Sequence, residues 1–224
     1  SSALAAAAER VVAAMPGALA EAVAGSDPGD VLLLAPGRHE GPLLLDLPLT
    51  LDGGGEAVIE GNGTGSVITV TGDDVTVRGM EIRGSGSRHE EIDAAIKLER
   101  EARGAIVEDN VLVGNLHGVH VRGARDSLVR NNRIVGRSDH RMNDRGNGVY
   151  VWNAPGTVIE GNDIRLGRDG IFVNASNEGI FRNNLFRDLR FAVHYMYANN
   201  SEVSGNVSIV NHLGFALMFS NRST

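Results

Sequence analysis

Short apolar–polar alternations recur along this chain, each only a few residues long. Val107, Val129, Ile159, Phe181 and Val203 each stand three positions before an Asn, in the form V-x-x-N. Those Asn residues, 110, 132, 162, 184 and 206, are spaced by 22, 30, 22 and 22. Nine residues after most of them comes a second apolar pair: Val119/Val121, Ile171/Val173, Val193/Tyr195 and Phe215/Leu217. In the 30-residue repeat the pair is Val149/Val151, 17 residues after Asn132, so eight residues are inserted around RSDHRMND. Alternation means strands with one face in and one face out. Several such strands in a period near 22 predict an all-β parallel β-helix. The coil is expected to be right-handed, as parallel crossovers almost always are. Each rung is expected to hold about three strands, with rungs stacked roughly 4.8 Å apart.

Equivalent residues then form columns. Val107, Val129, Ile159, Phe181 and Val203 make one inward column. The five Asn residues make a ladder at a turn, where each amide can bond the next and Asn tolerates the dihedrals. Toward the N-terminus, Gly79 is matched to Asn110, with Met80 and Ile82 in the strand that follows. The pair Ile96/Leu98 stands 17 residues after Gly79, again with eight extra, which contain SGSRHEEID at 85–93. VITVTGDDVTVRG and LTLDGGGEAVIEGNG carry the same alternation further back. GALAEAVAGSDPGD predicts a short amphipathic helix, with Leu19 and Val23 four apart and Gly25 and Pro28 closing it. Residues 1–30 are therefore expected to be a helical cap on a β-helix running over 31–224. The last residues, FSNRST, follow Phe215/Leu217 without a second cap, so further C-terminal rungs are expected in the natural protein.

Composition narrows the classes. There are 29 Gly and only 4% aromatic residues, which suits short strands and tight turns. A net charge of −7 argues against nucleic acid as a partner. The absence of Cys removes disulfides and thiolate metal sites. No apolar run reaches 18 residues, so the chain is not expected to span a membrane. The Ala-rich start carries Glu9 and Arg10 within it and is not a signal peptide as it stands.

Candidate chemistry lies on the outward positions. In the stretch RFAVHYMYANN, His194 and Met196 alternate with inward Val193 and Tyr195. Stacking places His120, Tyr150, Phe172, His194 and Ala216 in one outward column. Arg122, Trp152, Asn174, Met196 and Met218 form the next. His194, Met196 and Met218 would share one patch, and imidazole with thioethers is a soft donor set suited to Cu(I). The second insertion repeats the spacing in His140 and Met142, flanked by Asp139 and Asp144. The first holds His89, Glu90, Glu91 and Asp93. Both insertions are expected to wall a groove over the outward columns. Tyr150, Trp152 and Phe172, with the two Met residues, alternatively form an apolar surface for a protein partner. Arg168 and Asp169 are expected to fix a turn as a pair.

The stretches RGNGVYVW (145–152), GRDGIF (167–172), RFAVHYMY (190–197) and GFALMFS (214–220) resemble the NosD family, at matched repeats and in the family's order. The resemblance implies a periplasmic maturation protein for nitrous oxide reductase. It implies no enzyme activity. The implied partners are an ABC-type transporter (ATPase and membrane subunits), a copper chaperone and nitrous oxide reductase itself. The implied role is assembly of that enzyme's copper–sulfur cluster, with copper as the expected ligand. The family's chain runs well beyond residue 224.

The alternative from another class is a polysaccharide lyase, hydrolase or epimerase, since the same fold serves many functions. Such enzymes need clustered carboxylates on one outward face. Asp139, Asp144 and Asp169 are the candidates, yet His, Met and aromatic residues occupy the columns beside them. A purely structural or adhesive solenoid would not need paired His-x-Met segments.

Overall fold

The structure, a computed structural model, describes residues 7–221. Each regular rung has three short strands, all paired in parallel with those of the rungs above and below. The first strands are Ile106–Glu108, Leu128–Arg130, Val158–Glu160, Ile180–Arg182 and Glu202–Ser204. The second are Val111–Val113, Arg133–Val135, Asp163–Arg165, Leu185–Arg187 and Val207–Ile209. The third belong to an eight-stranded sheet that includes Ala94–Leu98, His117–Arg122, Val149–Trp152, Asp169–Asn174, Phe191–Met196 and Leu213–Met218. The parallel β-helix and its 22-residue period are as expected. Val107 aligns with Val129, Val129 with Ile159, Ile159 with Phe181, and Phe181 with Val203. Val107, Val129, Ile159 and Phe181 are fully buried. Burying each such side chain contributes about 1.5–3 kcal/mol.

The corner between first and second strands explains the conspicuous Asn doublets. Asp109, Asn131, Gly161, Asn183 and Gly205 all have φ between 55° and 67°, the left-handed region that Gly, Asn and Asp tolerate. The residue after each is the stacking Asn. Asn132 Oδ1 accepts from the backbone N–H and side-chain amide of Asn110, at 3.1 Å each. The same pair of bonds links Asn132 to Asn162, Asn162 to Asn184 and Asn184 to Asn206. The alignment of Gly79 with Asn110 is corrected. Met80, not Gly79, stands at the Asn place, because Asn110 Oδ1 accepts from Met80 N–H at 3.3 Å and Glu81 aligns with Val111. Gly79, with φ 68°, is the left-handed residue before it. With Met there the amide ladder stops, and Thr76–Arg83 runs as one strand through the corner.

On the outside of the first strands, charge alternates along the column Asp52, Arg78, Glu108, Arg130, Glu160, Arg182. Arg78–Asp52, Arg130–Glu108 and Arg182–Glu160 are ion pairs of 2.6–2.8 Å. Each such surface pair contributes only about 0–1 kcal/mol. Their alternation also sets register, since pairing a strand with the wrong rung would oppose like charges.

At the N-terminal end the expected helix is present as Ala18–Ala24, with Leu19 and Val23 in the core and Gly25 following it. The segment 1–30 is nevertheless more than a helical cap. Glu9–Val12 is a strand that pairs in parallel with Val31–Leu34, so the sheet begins before the helix. Arg10 and Asp30 tie the two together at 2.6 Å. At the other end, Phe215 and Leu217 continue the inward columns but are 46% and 53% exposed. No rung of the described residues stacks beyond them.

Candidate functional site

Both outward columns form as the repeat spacing predicts. His120 aligns with Tyr150, Tyr150 with Phe172, Phe172 with His194 and His194 with Ala216. In-register pairing leaves equivalent residues about one strand spacing apart, so their rings stack. Centroids are 5.0, 5.0 and 4.9 Å apart from His120 through Tyr150 and Phe172 to His194. The neighbouring column runs Arg122, Trp152, Asn174, Met196, Met218. Of the three aromatic residues expected at a partner surface, only Trp152 is exposed. Tyr150 and Phe172 are half-buried within the ring column.

His194 is held on several sides. Its Nδ1 lies 3.2 Å from Asp169 Oδ2, and the Phe191 and Phe172 ring centroids lie 4.8 and 4.9 Å from that of the imidazole. Asp169 is fully buried. Its charge is balanced by Arg190, whose Nε and Nη2 donate to Oδ1 and Oδ2 at 2.8 and 2.7 Å. The expected Arg168–Asp169 turn pair is thereby corrected: Arg168 Nε is 4.0 Å from the carboxylate, while Arg190 binds it with two hydrogen bonds. The turn is fixed across rungs, because Phe191, next to Arg190, pairs with Asp169.

Met196 is half-buried and Met218 is 43% exposed, one rung apart in register and on the face that carries His194. Among the described residues, no three or more His, Asp or Glu side chains converge to hold a metal ion. A metal on this face would therefore rest on the thioethers and one imidazole. That donor set fits Cu(I) and disfavours hard cations.

His140 and Met142 lie elsewhere. His140 is exposed, with Nδ1 2.9 Å from Asp139 Oδ1, and Met142 opens the 3-10 turn Met142–Asp144. No interaction joins this insertion to His194, Met196 or Met218, so the two His-x-Met segments are not brought together. The second insertion instead binds the first. Arg137 donates to the carbonyls of Ser85 and Gly86 and to Ser87 Oγ, the last at 2.6 Å. His89 Nε2 lies 3.1 Å from the Asp144 carbonyl.

Only the first insertion walls the third-strand face. Glu90, Glu91 and Ile92 close one side of a pocket of about 250 Å³ whose floor is Lys97, His120, Arg122, Tyr150 and Trp152. The second insertion turns away to a cleft beside Val113, Gly114, Val135 and Gly136.

A row inside the corner escapes the repeat pattern. His117, Asn147 and Asp169 each stand two residues before the inward apolar pair, and all three are buried. Asn147 N–H donates to His117 Nδ1 at 3.0 Å. Burial, with the charges of His120, His89, Arg168 and Arg137, pushes His117 down to about 3. Burial, then Lys97 and Arg122, pushes His120 down to about 3. Neither ring nitrogen of His120 has a partner. Burial also raises the Tyr150 hydroxyl. The sequence signal was a polar residue at a fixed offset before each pair, hidden because the three differ in kind.

The carboxylates of the enzyme alternative do not converge. Asp169 is inside the corner, while Asp139 and Asp144 are exposed in the second insertion.

The fold and this face define the class: a parallel β-helix with His194, Met196 and Met218 on one outward face and two insertions linked to each other. From residue 131 onward, the chain is similar to the NosD family. Residues 131–224 match the family model described as periplasmic copper-binding protein (NosD). The probable ABC transporter binding protein NosD of Pseudomonas aeruginosa is 37% identical over 137 residues, covering 61% of this chain and 32% of that protein. The Stutzerimonas stutzeri protein of the same description is 34% identical over 137 residues, covering 61% and 31%. The chain thus spans about a third of the length of these curated relatives. Among solved structures, pectate lyase Pel9A superposes with a TM-score of 0.69 at 15% identity, covering 91% of this chain and 62% of that one. A Yersinia enterocolitica family 28 exopolygalacturonase gives 0.70 at 10% identity, covering 92% and 60%. At such identities these two show the fold alone. No helix among the described residues is long and apolar enough to cross a membrane.

Proposed function

We propose that this chain is part of a periplasmic, non-catalytic accessory protein that handles Cu(I). In this reading it serves assembly of the copper–sulfur cluster of nitrous oxide reductase. It works with the ATPase and membrane subunits of an ABC-type transporter and receives copper from a chaperone. The family description and the relatives' names support the compartment, the metal and the transporter. The observation that carries the reading is the in-register pair Met196 and Met218 on the face of His194. Those three residues would hold the ion, with His140 and Met142 as a separate, looser pair. Trp152, exposed in the same column two rungs before Met196, is the residue offered to a protein partner, together with Tyr150 and Phe172.

The test is competition for Cu(I) against a chromogenic chelator. The chain is expected to take up about one equivalent, and Met196→Leu with Met218→Leu to weaken binding roughly tenfold or more, on the order of 1.4 kcal/mol. Equal affinity in the double variant would remove the site.

A further inference from the structure

A single imidazole is a useful metal ligand only if the correct nitrogen is bare and aimed at the ion. Neutral His has one protonated nitrogen, and the hydrogen bond made by one nitrogen decides what the other can do. At His194 that bond is made to a buried carboxylate. Asp169 Oδ2 can only accept, so Nδ1 carries the proton and Nε2 has the lone pair. The Phe172 and Phe191 rings pack against the imidazole with centroids 4.9 and 4.8 Å away.

Resting on the copper reading above, we propose that Asp169 and Arg190 are the positioning residues of the soft-metal site. They fix His194 as the Nδ1–H tautomer that presents Nε2 beside Met196 and Met218. Arg190 has a distinct part. Its two bonds engage both oxygens of Asp169, one of which also receives His194. The carboxylate is thus engaged at both oxygens and fully buried, so it is not presented to a cation. Its negative charge is matched by the Arg190 guanidinium, with Arg168 Nε also 4.0 Å from the carboxylate. A site of one imidazole and two thioethers, with the Asp169 carboxylate paired to Arg190, suits a monovalent soft ion and gives little to Zn²⁺ or Ca²⁺.

The arrangement makes an unusual demand on substitutions. In Asp169→Asn, the Arg190 donors take the one remaining amide oxygen. The amide NH₂ is left facing His194 Nδ1, where it can only donate. That forces the proton onto Nε2 and blocks the ligand nitrogen. Asp169→Ala removes the orienting bond but imposes no tautomer. The closer mimic is thus expected to bind worse than the cruder one.

Two measurements on the full chain test this. The first is the nitrogen-15 spectrum of His194 without metal. It is expected to show a protonated Nδ1 and bare Nε2 in the wild type and the reverse in Asp169→Asn. The second is chelator competition with Cu(I). Asp169→Asn is expected to lose about 10- to 100-fold in affinity, and Asp169→Ala less, with thermal melts confirming that both variants fold. A wild-type His194 protonated at Nε2, or an Asp169→Asn affinity equal to wild type, overturns the positioning role. A wild type with the expected tautomer that binds no Cu(I) leaves the positioning of His194 standing but sinks the copper reading instead. Should either Asp169 variant fail to fold, Arg190→Gln replaces it. A weakened preference for Cu(I) over Zn²⁺ there supports the inference, and an unchanged preference with normal folding opposes it.

Discussion

His120 occupies an outward position that on a bare solenoid would be solvated, yet it is almost completely buried. Tyr150 stacks on one side of it, and the 85–93 insertion covers the face. Two unpartnered buried ring nitrogens cost about 1–3 kcal/mol each, and a charged ring there would cost more. His117 is neutral for a related reason, with Nδ1 committed as an acceptor to Asn147. Both groups therefore hold fewer protons folded than unfolded between an ordinary pKa of 6.5 and about 3. Their contribution is fully present above pH 6.5 and is lost as pH falls through that window. The slope is about 1.4 kcal/mol per pH unit for each group. Urea midpoints between pH 7 and pH 4 are expected to fall accordingly. His120→Phe, which keeps the stacked ring and removes the orphan nitrogens, is expected to be no less stable at pH 7 and to show a shallower acid slope. A variant with the wild-type slope would mean that His120 titrates normally in the folded chain.

A β-strand three residues long has little stability of its own, so these elements depend on their corners. Every ladder corner pairs a left-handed residue with a stacking Asn. Each interior Asn accepts from its neighbour below and donates to a carbonyl of the rung below and to the Asn above. Asn162 accepts from Asn132 and donates to Val129 O, Glu160 O and Asn184 Oδ1. Asn162→Ala is expected to cost about 2–4 kcal/mol, because the buried Asn132 N–H loses its partner. Asn206→Ala, at the half-buried end of the ladder, is expected to cost less. Chemical denaturation of the two variants side by side checks this, and equal losses would refute a cooperative ladder. The elements were legible in the sequence because this chemistry demands one residue type at one place: only Asn both accepts and donates there, so it recurs. Met80 shows the limit. Where the amide was absent, the left-handed Gly79 beside it was mistaken for the ladder position. The His117, Asn147, Asp169 row was illegible for the opposite reason. A corner interior can be satisfied by an imidazole, an amide or a carboxylate, each with a different partner, so no letter repeats. His194, Met196 and Met218 were placed correctly in register, but nothing in the spacing revealed that a buried carboxylate stands behind His194.

At the scale of the whole molecule, stacking alone ties each rung only to its nearest neighbours, as in any solenoid. The two insertions break that rule. One precedes the Ala94 strand and the other the Val149 strand, with the His117 strand between them, yet Arg137 and His89 join the two loops directly. The pocket floor of Lys97, His120 and Tyr150 comes from the three rungs thus spanned. Arg137 thus adds a support from the other loop to the cover over His120. Arg137→Ala removes the bonds to Ser85, Gly86 and Ser87 together. The β-helix, whose core they do not enter, should melt within a few degrees of wild type. Amide exchange is expected to quicken across both 85–93 and 137–145, and the Trp152 emission to shift as the pocket rim becomes wetter. Quickened exchange confined to 137–145 would show that the first insertion stands over His120 unaided. In that case the loops would be two independent appendages rather than one cover, and a partner docking at Trp152 would meet only the first of them.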